Sequence, residues 1–132
     1  MSNIPLALKI HGDNINDVVF HTNVAGTTFV ENSNKILEFL KTKVPERDIR
    51  IRLKREPENQ YDDKAVRVEI SVIGAKKFFK IGYIPRDKND VIDYVLKHED
   101  DYFLRVYNIK LFGGDTFKPN IGVFFDYTIS VL

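Results

Sequence analysis

A chain of 132 residues with a formal net charge of +1 and no cysteine is sized for one domain with a real core. It can have neither a disulfide framework nor a thiolate zinc site. Hydrophobic residues at 43% and charged residues at 30% are ordinary for a soluble globular protein. The near-neutral balance leaves any phosphate-binding surface to local segregation of Lys and Arg, not to overall charge.

MSNIPLALKI at the start lacks the basic n-region and long apolar run of a signal peptide. Nowhere do about 18 apolar residues follow one another, so no membrane span is expected. The expected setting is the cytoplasm.

Leu6 to Ile10 reads as a first short strand, closed by His11-Gly12-Asp13-Asn14. Val18 to Val24 resumes an extended pattern that turns at Ala25-Gly26-Thr27-Thr28-Phe29, where Gly26 permits a bulge or a close backbone approach. Ser33 or Asn34 offers an N-cap to a helix whose apolar positions are Ile36, Leu37, Leu40 and Val44. Pro45 ends it.

From Ile49 the period becomes two. Ile49, Ile51 and Leu53 share one face, with Arg50, Arg52 and Lys54 on the other, as a pleated strand requires. After the polar stretch Pro57 to Lys64 the alternation restarts through Val66, Val68 and Ile70, with Arg67 and Glu69 opposite. The pair predicts a hairpin with one wet, cationic face.

Phe78 to Ile84 predicts a third strand of this group, stopped by Pro85. Asp87 or Asn89 can cap a second helix carrying Val91, Ile92, Val95 and Leu96, with Lys97 and His98 at its end, where the dipole favours positive charge. Phe103 to Phe112 predicts a long strand, Gly113-Gly114-Asp115 a turn, and Ile121 to Val131 a last strand of strict alternation. The expected fold is mainly β with two short helices: a small, strongly curved antiparallel sheet, or a partly open barrel.

The turn between Leu53 and Val68 carries more than turn chemistry requires. Pro57, Asn59 and Asp62 suit a turn, but an aromatic at Tyr61, set among amides and carboxylates at its tip, does not follow from that. On the residues alone, Asn59, Tyr61 and Asp62 are either a self-bonded turn with Tyr61 packed on the core rim or a receptor on a loop, where function often sits.

Leu53-x-Arg55-Glu56-Pro57-x-Asn59-x-Tyr61-Asp62-x-x-Ala65-Val66-x-Val68 closely resembles the signature of HIRAN domains. Val24 to Phe29 is similar to that family's early Gly-containing strand. Ile81-Gly82-Tyr83-Ile84-Pro85-Arg86 is similar to its segment leading into a helix, and Phe112-Gly113-Gly114 with Gly122-Val123 to its closing hairpin. The resemblance is strongest over residues 23–131, so residues 1–132 are expected to form one HIRAN-like domain. Gln60 stands where the family commonly has Pro, and Glu31 to Asp48, with its helix, is longer than the usual connection.

The resemblance implies an OB-like barrel that holds the 3′ end of single-stranded DNA. By matching position it implies contacts from Thr28, Phe29, Asn59, Tyr61, Asp62 and Arg86, with Phe117 stacking on a base. Lys54 and Arg52 are further candidates for phosphate. It also implies action beside a separately encoded helicase or nuclease in DNA repair, without a cofactor.

Each candidate has a plainer reading. Phe117 beside Gly-Gly can plug the barrel end. Arg55 points inward, to pair with Glu56 or a carbonyl. The Arg50-Arg52-Lys54 stripe can be a solvated face neutralised by Glu69. Catalysis finds no support: His11, His21 and His98 lie in unrelated contexts, no P-loop or Ser nucleophile elbow occurs, and Glu99-Asp100-Asp101 reads as a turn. The alternative to nucleic acid is a protein-interaction or self-association module using the same groove.

Overall fold

The computed structural model describes residues 4–132. The chain runs α1 (Leu6–His11), β1 (Phe20–Asn23), α2 (Ser33–Lys43), β2 (Ile49–Arg55), β3 (Val66–Val72), β4 (Phe79–Tyr83), α3 (Asn89–Lys97), β5 (Tyr102–Gly113) and β6 (Ile121–Val131). The strands make two three-stranded antiparallel sheets, ordered β1-β6-β5 and β2-β3-β4.

Each sheet is built on its most apolar strand. In β6, Ile121, Val123, Phe125, Tyr127 and Ile129 are buried at every second position, the periodicity of a strand with one face in the core. In β3, Val66, Val68 and Ile70 are fully buried and meet them in the same core cluster. Ile92 and Val95 of α3 close that core.

The sheets do not close into a barrel. They are stitched along one seam, where Ala25 and Tyr83 exchange N–H···O bonds of 2.8 and 2.9 Å and Val24 N–H bonds the carbonyl of Val123 at 2.9 Å. Along the other seam β2 pairs only with β3 and β5 only with β6. The stitch needs Gly82. A Cβ there would lie 2.4 Å from the Ala25 carbonyl oxygen and 2.8 Å from Val24 Cγ1.

Four expectations change. Leu6 to Ile10 is helical, giving three α-helices among the described residues where two were expected. Its alternation is real in the sequence, but Leu6 and Ile10 are 66% and 67% exposed and only Leu8 is buried, so the period never met a sheet face.

The α2 helix begins at Ser33 itself, after Asn32 in the left-handed region (φ 64°), and the Ser33 hydroxyl bonds the carbonyl of Thr27 instead of capping. At the end of β6, Val131 is 49% exposed rather than inward. The hairpin face is not wet throughout. Glu69 and Ser71 are buried on it, Glu69 between Arg52 at 2.7 Å and Arg67 at 3.0 Å, while the Ser71 hydroxyl bonds the carbonyl of Lys77 at 2.6 Å.

Candidate nucleic-acid interface

The turn after β2 is held by its own side chains. Asn59 Oδ1 accepts the backbone N–H groups of Tyr61 and Asp62 at 2.9 and 3.2 Å. Its amide nitrogen donates to Glu56 Oε1 at 3.1 Å. Asp62 Oδ1 accepts the N–H of Lys64 at 2.9 Å, the Asx-turn expected of an aspartate in such a stretch. Asn59 and Asp62 are therefore the turn's internal frame, as the plainer reading had it.

What the frame presents is a different matter. Tyr61 is 77% exposed rather than packed on the core rim, so most of its ring is left in water. Its carbonyl faces the Arg86 guanidinium at 3.5 Å, and Arg86 Nε stands 3.9 Å from Asp62 Oδ2. Ring, guanidinium and carboxylate meet at one groove of about 430 Å³, walled by Ala25, Gly26, Ala65, Tyr83, Ile84 and Pro85. Gly26 turns the chain there with φ of +74°. The groove thus lies on the stitched seam.

Two of its residues were not singled out from sequence. Asn89, buried at the start of α3, donates to Asp62 Oδ2 at 2.7 Å; its position before an apolar stripe suggested a cap instead. The Tyr83 hydroxyl donates to Glu56 Oε1 at 2.9 Å and accepts from Lys80 Nζ at 2.8 Å. Its signal is the Gly-Tyr-Ile-Pro run, which by sequence alone marks only a strand leading into a helix.

The electrostatics keep both acids charged. The Lys64 amide bond, followed by the Asn89 amide and the Arg86 and Lys64 charges, outweighs partial burial and holds the Asp62 carboxyl below its usual range. For Glu56 burial is the largest single influence and opposes ionisation. The combined Asn59 and Tyr83 hydrogen bonds and the Lys80 and Arg67 charges overcome it, and its carboxyl too lies low.

The remaining candidates are dispersed. Thr28 is exposed on a 3-10 turn and lines a separate hollow with the start of α2 and Asn120. Phe29 is 91% exposed and Phe117 98% exposed, so Phe117 does not plug the fold. Its loop is set by Asp115 Oδ1, which accepts the N–H groups of Phe117 and Lys118 at 3.0 and 2.7 Å.

Arg52 is committed to Glu69 and lies 4.3 Å over the Phe78 ring. Lys54 is exposed, opposite Arg67 in the ladder. Arg55 pairs with Asp93 at 2.7 Å, not with Glu56 or a carbonyl. No residue of the 31–48 insertion lines the Tyr61 groove.

The HIRAN domain family model matches residues 18–111, more than half of the chain. This chain belongs to the HIRAN domain family. HIRAN domains are generally nucleic-acid-binding modules, and the domain by itself binds rather than catalyses. Neither the curated proteins nor the solved structures gave a match. Among the described residues no group of three or more His, Cys, Asp or Glu is arranged to hold a metal ion, and no helix is long and apolar enough to cross a membrane.

Proposed function

We propose that this HIRAN domain binds single-stranded DNA and holds its 3′ end in the groove between the Tyr61 turn and the start of α3. The observation that carries the reading is one groove lined by an exposed Tyr61 ring, by the Arg86 guanidinium held against the Tyr61 carbonyl, and by an ionised Asp62.

A terminal nucleotide offers a π-face, a phosphate and a hydroxyl. Tyr61 stacks on the base, worth about 1–3 kcal/mol. Arg86 neutralises the phosphate. Asp62 keeps unused lone pairs after serving Lys64 and Asn89, so it accepts from the terminal hydroxyl and repels a phosphate in the same place. Phe29 and Phe117 are the further stacking faces in this reading, with Thr28 next to Phe29 in the chain and Lys54 as an outlying cation. The domain acts by recognition, bringing a helicase or nuclease encoded elsewhere to the strand terminus.

Fluorescence anisotropy tests the reading. Binding is expected for a single-stranded oligonucleotide with a free 3′ end and not for a blunt duplex. It should fall steeply with salt and weaken about tenfold or more in Tyr61→Ala, in line with one lost stack. Equal binding of both ends by wild type, or an unaffected Tyr61→Ala, overturns it.

The apolar walls at Ala25, Ala65, Ile84 and Pro85 favour one second reading, a peptide side chain in the same groove. Affinity for a peptide would be nearly independent of salt.

A further inference from the structure

The arginines divide into two sets. Arg52, Arg55, Arg67 and Arg86 each lie within 4 Å of a carboxylate. Among the described residues Arg47, Arg50 and Arg105 have no such partner, and all three line one groove of about 530 Å³. That groove is the open seam, where the start of β2 faces the middle of β5 across Ile49, Ile51 and Val106.

Two of the three are already oriented. Arg50 donates to the carbonyls of Arg47 and Ile49 at 2.7 and 3.0 Å, and Arg105 lies 4.9 Å over the Tyr107 ring. All three are exposed. Glu46 is the one carboxylate on the groove's lining. Three guanidiniums against it leave a cationic trough on a protein whose formal net charge is only +1.

Solvated arginines with no carboxylate within 4 Å, gathered on one concave surface, suit a ligand that brings regularly spaced anions. Guanidinium forks match phosphate oxygens. We infer that the Arg47–Arg50–Arg105 trough holds internal backbone phosphates of a single DNA strand, as a second contact remote from the Tyr61 groove.

The spacing supports it. Arg50 stands five residues before the end of β2, so roughly 17 Å of extended chain separates it from the turn that carries Tyr61. A strand of several nucleotides spans that, within the roughly 4–16 nucleotides that one OB-type fold accommodates. The trough reads no base and needs no end. It rests on the reading that the domain binds single-stranded DNA, but not on recognition of the terminus.

The test uses one sequence of about 20 nucleotides, just longer than the top of that range, as a linear strand with a free 3′-hydroxyl and as a closed circle without ends. Arg47→Gln/Arg50→Gln/Arg105→Gln is expected to weaken binding of the circle at least about tenfold. It should also lower the slope of log affinity against log salt by about 2, at about 0.7 per lost phosphate contact on a single strand. The corresponding triple Lys variant should keep most of both, because it keeps the charge. Arg105→Gln alone, on an exposed β5 position, should show a smaller loss in the same direction.

If the triple Gln variant, folded by circular dichroism, binds both ligands with unchanged affinity and slope, the trough inference is overturned. Weakening of the linear strand by Tyr61→Ala would then leave the end-binding reading standing. If the triple variant loses both ligands and Tyr61→Ala loses neither, the trough stands and the end-binding reading falls. A wild-type protein that binds neither ligand overturns both.

Discussion

Asn89 reaches across from the first turn of α3 to donate its side-chain amide to Asp62 Oδ2 at 2.7 Å. This bond ties a turn to a helix start 27 residues away, and it fixes which way Asp62 faces the groove. Replacing Asn89 with Ala should leave Asp62 free to turn to solvent and strand part of a buried network. A loss of about 1.5–3 kcal/mol in urea unfolding is expected, the usual scale for a hydrogen bond to a charged group. End-dependent binding should weaken in parallel. Wild-type stability and binding would show the bond to be incidental.

Gly82→Ala should be costly for a reason of space alone. Its Cβ would press on the Ala25 carbonyl oxygen, which is backbone and cannot rotate away. A destabilisation of about 1–3 kcal/mol, the range for overpacking, should appear in denaturant midpoints. The Ala25–Tyr83 stitch forms one wall of the groove, so ligand affinity should fall too.

The Arg55–Asp93 pair anchors β2 to α3 while largely shielded from water. Asp93→Ala leaves a guanidinium without its partner and should cost about 1–3 kcal/mol. Arg55→Met in the same chain should recover part of that, because an apolar replacement of a shielded pair removes the stranded charge. A double-mutant cycle measures the recovery. Strictly additive losses would contradict the coupling.

Acid should unfold the protein through its depressed carboxylates. Glu56, Asp62 and Asp126 lie below their ordinary values of 4.5, 3.8 and 3.8, Asp126 chiefly through the Asn108 amide and His21. A carboxyl whose folded value is lowered stabilises fully above its unfolded value, and that contribution drains away as pH falls through the folded value. Stability should therefore be level with respect to these groups above about pH 5 and decline below about pH 4. In Glu56→Gln/Asp62→Asn the decline should be shallower. An unchanged acid limb in that variant would remove these groups as its cause.

Much of this was legible in the sequence because it is local and periodic. The β2–β3 hairpin announced itself by alternation, the inward face of β6 did so from Ile121 to Ile129, and α2 and α3 announced themselves by helical spacing. Leu6 to Ile10 failed because five residues fit either period, and only tertiary burial decides between them. The site was half legible. Tyr61, Asn59 and Asp62 stood out as chemistry in excess of a turn, but their division into frame and presented surface depends on Asn89 and Tyr83. Partners 27 residues apart leave no periodic trace. Arg55 was placed inward correctly, yet its carboxylate lay 38 residues on in Asp93. The cationic stripe of β2 was visible as a stripe. That Arg52 is neutralised by a buried Glu69 while Arg50 joins Arg47 and Arg105 at the open seam follows only from how the two sheets meet.

The most direct measurement compares the dissociation constants of one single-stranded oligonucleotide ending in a 3′-hydroxyl or in a 3′-phosphate, for wild type and Asp62→Asn. Charge repulsion at an ionised Asp62 predicts that wild type prefers the hydroxyl and that Asp62→Asn narrows the preference while keeping the fold. Equal affinity of wild type for both ends, or a preference that Asp62→Asn leaves untouched, would contradict recognition of the strand terminus at this groove.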